Sequence, residues 1–226
     1  MKRLDVWDRL TRMLVAASML ATVLTMQPAQ AVTQAYEPAG SWPAVTWHLK
    51  TPHGSATDAV GNVYVADTGN NRIVKFDVSG RYVMSWGGLG SDDGKFNQPW
   101  DVACDPSGTT VFVADTMNHR IQQFAVNGRQ YSFVRKWGTK GGQDFTGTNA
   151  GEFNEPRGLA LDSGGNVYVV DTVNDRIQKF AVTESGVKNL KQWGTSGSGV
   201  DLFLEPYAID ISATGWVYVL DREPTN

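Results

Sequence analysis

The chain has 226 residues, of which 41% are hydrophobic and 19% are charged, and its formal net charge is −3. This hydrophobic fraction is sufficient for a folded core, and the charge is too sparse for a disordered protein. The single cysteine, Cys104, excludes a disulfide within the chain and any zinc module that needs several cysteines. It stands in an apolar predicted strand, which favours a small buried residue over a catalytic thiol.

Residues 1–31 have the order of an export signal. An apolar run from Met13 to Met26 precedes Ala29-Gln-Ala31, an Ala-x-Ala pattern, and it follows four basic residues, Lys2, Arg3, Arg9 and Arg12. We predict cleavage after Ala31, which would leave a secreted or extracytoplasmic chain with a net charge of about −5, because 4 of the 20 basic and 2 of the 23 acidic residues are removed. The alternative is an uncleaved membrane anchor, although the apolar run is shorter than the roughly 20 residues that span a bilayer.

Residues 32–42 contain Pro and Gly without periodicity and are predicted to be a linker. Farther along, one pattern recurs, with the core Asn-Val-Tyr-Val-Ala-Asp-Thr-x-Asn-x-Arg-Ile-x-x-Phe. A Pro-x-Gly/Asp-x-Ala-x-Asp segment precedes each core, in a looser form before the fourth, and a segment ending in Trp-Gly follows the complete ones. The shared Asp recurs at steps of 48, 56 and 50 residues, which is the period of a four-stranded propeller blade.

We therefore predict an all-β fold over residues 43–226, a β-propeller of four-stranded antiparallel blades. In each blade, strand a is the Pro-x-Gly-x-Ala-x-Asp segment, strand b is Asn-Val-Tyr-Val-Ala, strand c is Arg-Ile-x-x-Phe, and strand d ends at Trp. Gly and Asn punctuate the a–b and c–d turns. The predicted blades are residues 52–86, 99–137, 156–193 and, incomplete, 206–226.

This pattern resembles the NHL-repeat family of β-propellers, and the resemblance covers about residues 43–226. Members of the family usually close with six blades, whereas about three and a half are present here. The resemblance therefore implies that missing blades or another chain would close the ring. Residues 44–49 resemble strand d and are predicted to be a closing strand. An incomplete propeller would be an open arc with exposed apolar ends and a poorly ordered last half-blade.

The most prominent polar residues repeat in every complete blade, and a feature that every blade needs is predicted to be structural. Asp and Thr are expected to hold the b–c turn by hydrogen bonds to the backbone, Asn to adopt a left-handed conformation, and Arg to pair with a carboxylate or carbonyl of the adjacent turn. Phe96, Phe153 and Phe203 are predicted to pack between blades. The structural turn residues are Asp67, Asn70, Arg72, Asp115, Asn118, Arg120, Asp171, Asn174 and Arg176.

Strand order places the b–c turns and the long, variable d–a loops on one face and short hairpins on the other. The variable face is the predicted binding face. The residue after each prologue Pro differs between blades, which predicts a ligand site at the channel mouth, although tolerance of variation at an exposed loop end gives the same pattern. These residues are His53, Trp100, Arg157 and Tyr207; secondary candidates on the same face are Gly69, Met117, His119 and Val173.

The first repeat is also similar to a repeat of the peptidyl-α-hydroxyglycine α-amidating lyases, which hold a channel zinc with His after Pro in three blades. Here only His53 matches, so a zinc site would need two further His from missing blades. The favoured prediction is an exported binding scaffold, without cofactor or chemistry of its own, for a peptide, protein or glycan. The alternative is a metal-dependent lyase or hydrolase with zinc or calcium at the channel mouth.

A nucleic-acid partner is not expected, because the predicted loop face is acidic and repels phosphate. Its acidic residues also make calcium conceivable, but they lack the Asp-x-Asp-x-Asp spacing of a calcium loop. The face holds Asp92, Asp93, Asp144, Glu152, Glu155, Asp201 and Glu205 against Lys95, Lys140 and Arg157.

Overall fold

The computed structural model describes residues 48–138 and 149–222. The predicted signal, the linker and residues 44–47 of the predicted closing strand lie outside the described residues, and residues 48–50 form no strand. Lys140 and Asp144 of the predicted loop face also lie outside them. Among the described residues, no helix is both long enough and apolar enough to cross a membrane.

The prediction of an all-β propeller is confirmed, with three four-stranded antiparallel sheets and one two-stranded sheet in the described residues. The strands pair in chain order within each sheet. The first sheet contains β1 (Ser55–Thr57), β2 (Val63–Asp67), β3 (Arg72–Phe76) and β4 (Tyr82–Gly87). The second contains β5 (Pro99–Cys104), β6 (Thr110–Asp115), β7 (Arg120–Asn127) and β8 (Gln130–Trp137).

The third sheet repeats this order, and the fourth has its first two strands. The third contains β9 (Pro156–Leu161), β10 (Val167–Asp171), β11 (Arg176–Thr183) and β12 (Gly186–Trp193). The fourth contains β13 (Ala208–Ile211) and β14 (Val217–Leu220). A short 3-10 turn joins strands b and c in each complete blade, at Thr68–Asn70, Thr116–Asn118 and Thr172–Asn174.

The core lies between neighbouring blades, because the second and third sheets are each covered on both faces by the sheets next to them. All five residues of β10 are buried, which explains why this strand is a continuous apolar run instead of an alternating one. Phe96 and Phe153 are fully buried and stand 5.6 Å, ring centroid to ring centroid, from the strand c phenylalanines Phe124 and Phe180. Cys104 is half-buried and packs against the core between the first and second blades. Burial raises the pKa of its thiol to about 12.

The prediction that the repeated Asn takes the left-handed conformation is wrong. The repeated Asn ends the 3-10 turn, and the next residue is left-handed: Asn71 has φ 55°, His119 51° and Asp175 50°. The reason is the Asn side chain. The Asn118 amide donates to the Asp115 carboxylate at 2.9 Å, a contact within the turn, so the chain reverses one residue later at a polar residue that tolerates positive φ.

Candidate functional site

The repeated Asp of each b–c turn anchors the preceding d–a loop. Asp115 is fully buried, and its carboxylate accepts the backbone N–H of Asn97 at 2.8 Å and the Arg120 Nε–H at 2.6 Å. Asp67 accepts the Lys50 N–H at 2.6 Å, and Asp171 accepts the Asn154 N–H at 2.7 Å. The repeated Thr reaches the next blade, since Thr68 Oγ1 donates to Pro99 O at 2.6 Å and Thr116 Oγ1 to Pro156 O at 2.7 Å.

In the second blade, Arg120 and Gln122 hold the body of the preceding d–a loop. The Arg120 guanidinium donates to the carbonyls of Ser91 (2.7 Å), Asp92 (2.9 Å) and Lys95 (3.0 Å). Gln122 is fully buried; its Nε2 donates to the Lys95 carbonyl at 2.7 Å, and its Oε1 accepts the Gly94 N–H at 2.9 Å. Sequence reasoning missed this Gln, although its recurrence at Gln178 was a visible signal. These side chains are occupied by contacts within the fold.

The four residues that differ between blades lie at the start of the innermost strands. Three of them form a stack. The His53 and Trp100 rings have centroids 3.7 Å apart at an interplanar angle of 24°, and the Arg157 guanidinium carbon lies 4.8 Å from the Trp100 ring centroid. Arg157 Nη2 also donates to Glu155 Oε2 at 2.9 Å. Within the described residues, Tyr207 shares no ring contact or hydrogen bond with this stack, and its side chain is exposed.

The hydrogen bonds of His53 determine its tautomer. The Thr68 hydroxyl uses its only hydrogen on the Pro99 carbonyl, so at 3.0 Å it accepts from His53 Nδ1. Burial lowers the pKa of His53, a hydrogen bond with the Thr51 backbone opposes this, and the nearby Arg157 lowers the pKa again; the net lowering favours the neutral ring.

A channel zinc requires more than His53 can supply. Catalytic zinc is normally held by about three protein ligands. Trp100, Arg157 and Tyr207 stand at the matching positions, and no three His, Cys, Asp or Glu side chains of the described residues are grouped to hold a metal. The residues present here do not fit a complete zinc site.

Asp101, immediately after Trp100, is a functional candidate that sequence reasoning missed. The same position in the other blades holds Gly54, Gly158 and Ala208. The Asp101 carboxylate accepts the N–H of Leu159 on the neighbouring blade at 2.8 Å, and that of Val102 at 2.8 Å. Burial raises the pKa of Asp101 to about 7. The signal was its charge, at a frame position otherwise occupied by the smallest residues.

The secondary candidates lie on the b–c turns of the same face. Met117 and Val173 are exposed at the tips of their 3-10 turns. The imidazole of His119 is already engaged, because its Nδ1 accepts the Glu155 N–H of the next blade at 3.0 Å. Two further residues make the equivalent contact in the other blades: Asn71 Oδ1 with the Gln98 N–H, and Asp175 Oδ1 with the Glu205 N–H, both at 2.8 Å.

The described part of the loop face is acidic. Three of its acids are paired at the surface, Asp93 with Lys136, Glu155 with Arg157 and Glu205 with Arg222. Of the loop-face residues named in the sequence analysis, Lys95 and Arg157 stand against Asp92, Asp93, Glu152, Glu155, Asp201 and Glu205; Lys50 and Arg222 are further basic residues on this face.

A family model for the NHL repeat matches residues 49–76, 96–124 and 153–180. Among curated proteins, the chain is 33% identical over 188 residues to the rat peptidylglycine alpha-amidating monooxygenase, covering 76% of this chain and 18% of that protein. It is 28% identical over 177 residues to mouse NHL repeat-containing protein 3, covering 72% and 46% respectively. The Drosophila melanogaster brain tumor protein is 28% identical over 157 residues, covering 70% and 14%. The chain therefore spans less than half the length of these relatives.

Two solved structures resemble the fold. Hydrazine synthase from Kuenenia stuttgartiensis matches with a TM-score of 0.53 at 13% identity, covering 78% of this chain and 43% of that chain. A protein of unknown function from Bacteroides thetaiotaomicron matches with a TM-score of 0.53 at 17% identity, covering 75% and 44%. At such identities the likeness supports the fold alone. With three matched repeats, each on one antiparallel blade, the chain belongs to the NHL-repeat family of β-propellers.

Proposed function

We propose that this protein is an exported binding scaffold that takes a peptide, protein or glycan ligand at the mouth of its channel, on the face of the b–c turns and d–a loops. The observation that carries this proposal is the stack of His53, Trp100 and Arg157. Its three residues occupy the same position in successive repeats, directly after the prologue Pro, but differ between blades. The repeated polar residues, in contrast, hold the loops.

The composition of the mouth supports a binding role. Trp, Tyr and Arg are the residues that most often carry binding energy at protein interfaces. Trp100 and Arg157 are half-buried, which limits the side-chain entropy lost on binding, and Tyr207 is exposed beside them in the next blade.

The test is a selection of ligands from a displayed library of random peptides and from an array of glycans, followed by affinity measurements on variants. We expect Trp100→Ala and Tyr207→Ala each to weaken the selected ligand about tenfold or more. Val60→Ala is the control, because Val60 is exposed on an a–b turn of the opposite face. Unchanged affinity in both mouth variants would contradict the proposal, as would a large loss of thermal stability in both, which would identify them as core residues.

The export of the chain is part of this proposal and rests on the order of residues 1–31. N-terminal sequencing of material recovered outside the cytoplasm is expected to begin at Val32. A membrane-bound product that still begins with Met1 would show an anchor instead.

A second candidate function is a metal-dependent lyase. It is favoured by the likeness to the amidating monooxygenases and by the position of His53 directly after the prologue Pro, and it requires ligands beyond those described. Elemental analysis of the purified protein is the test. Stoichiometric zinc or calcium that is lost in His53→Ala would favour the lyase over the scaffold.

A further inference from the structure

Asp101 is a half-buried residue whose carboxyl group is largely desolvated. Its two oxygens accept backbone N–H groups of Leu159 and Val102, and no ion pair in the described part of the chain includes it. The titratable groups on the adjacent innermost segments are His53 on one side and Arg157 on the other. Arg157 is paired with Glu155 and His53 is hydrogen-bonded to Thr68, so neither compensates the Asp101 charge.

A desolvated carboxylate with spare acceptor capacity favours a cationic partner. An ionised carboxylate offers about four lone-pair sites, and the two N–H donors use about half of them. A buried charge is costly unless a counter-charge compensates it. Structure within the blades does not require an acid here, since the first and third blades have glycine at this position.

The surroundings of Asp101 suit a cation as well. The Trp100 ring already carries the Arg157 guanidinium, so the aromatic surface exposed at the mouth is that of Tyr207, and aromatic faces attract ammonium and guanidinium groups. The acidic loop face around them would raise the local concentration of a positively charged ligand. The inner carboxyl, the exposed Tyr207 ring and the acidic rim therefore favour the same charge in a ligand.

We propose that the channel mouth binds a Lys or Arg side chain of a peptide or protein partner, with the Asp101 carboxylate accepting hydrogen bonds from the cation. This inference rests on the proposed binding function and narrows its ligand class to basic peptides. Asp101 is the specificity-determining residue, and it selects against neutral glycans and acidic peptides.

The probe is a pair of capped pentapeptides, Gly-Gly-Lys-Gly-Gly and the same peptide with Nε-acetyl-lysine, titrated into the full chain and followed by NMR at the Trp100 indole. We expect the lysine peptide to bind about tenfold or more tightly than the acetylated one, as for a charge-assisted hydrogen bond. Asp101→Asn is expected to remove this preference. Affinity for lysine is also expected to fall as the pH drops below about 7, where Asp101 becomes protonated, and to lose that dependence in Asp101→Asn.

Two further variants complete the test. Asp101→Gly installs the residue of the first and third blades, so it tests the proposal even where Asp101→Asn folds poorly. Glu184→Gln removes the same charge from an exposed c–d turn of the opposite face and is expected to leave the affinity unchanged. Equal affinity for the two peptides, or lysine binding that survives in Asp101→Gly, overturns the inference. When such an outcome accompanies a library ligand that is lost in Trp100→Ala, the binding function stands and only the ligand class is wrong.

Discussion

His119 closes the junction between the second and third blades with an ionisable ring, where the other junctions use Asn71 and Asp175. Its Nδ1 accepts the Glu155 N–H at 3.0 Å, a contact that only an unprotonated Nδ1 can make. Burial lowers the pKa of His119 from its ordinary value of 6.5, against the opposing attraction of Glu155, Asp171 and Asp115. The folded state therefore binds fewer protons than the unfolded state between its own lowered pKa and 6.5.

We expect this junction to become less stable as the pH falls. The sign follows from the lowered pKa: the contribution is complete above 6.5 and is lost as the pH falls below 6.5 and through the lowered folded-state value. His119→Asn is the matched variant, because Asn71 makes the same contact in the first blade without titrating. Urea unfolding of both proteins between pH 8 and pH 5 measures the effect. A difference in unfolding free energy that does not change with pH would refute this role.

The mouth residues show what a single sequence can locate and what it cannot. Their shared frame position follows from the repeat, so His53, Trp100 and Arg157 were identified from the sequence as neighbours around one channel. The stacking between them depends on the angle between blades, which no repeat pattern encodes. Asp101 was missed because only the residue after each prologue Pro was considered as a site, although the charge of Asp101 departs from the small residues of the other blades.

At the scale of elements, the strands could be predicted because each blade repeats the same apolar and turn residues. Contacts of the repeated Arg with a neighbouring turn were also predicted, but the Gln anchors were not, because the loop residues that they hold lie far away in sequence. Gln122 and Gln178 hold the loops before them, but the first blade has Val74 at this position. A residue with a structural role is therefore not repeated in every blade. The left-handed conformation was assigned to the wrong residue for a related reason. The side-chain contact of the repeated Asn with the repeated Asp, and not the backbone preference of Asn, determines the turn.

We expect Gln122→Val to release its loop. The valine is the residue of the first blade, but in the second it leaves three contacts unmade, those with the Gly94 N–H, the Lys95 carbonyl and the buried Asp115 carboxylate, at a cost of about 2 kcal/mol. Amide hydrogen exchange over residues 88–98 is expected to accelerate. Gln178→Val is the parallel variant, and it is expected to act on residues 149–155 because Gln178 bonds Gly151 and Glu152. Acceleration of both loops by either variant would contradict local anchoring.

Across the whole molecule, burial differs from blade to blade. Phe112 and Val113 in β6 are almost completely buried between their neighbours. In β14 the pattern alternates between half-buried and exposed residues: Tyr218 and Leu220 are 45% and 58% exposed, and Trp216, just before the strand, is 68% exposed. The apolar contact that stabilises a propeller is made between blades, so the fourth blade is stabilised from one side in the described residues.

This difference predicts an order of opening. Amides of β6 and β10 are expected to exchange most slowly, and those of β13 and β14 at least about a hundredfold faster, because local stability follows buried apolar contact. Val113→Ala and Val219→Ala form a matched pair at one frame position. The first removes a fully buried side chain and is expected to cost about 2 kcal/mol, whereas the second removes a half-buried one and is expected to cost less than half of that. Equal costs, together with protection of β14 that matches β6, would show that the apolar face of the fourth blade is covered in solution.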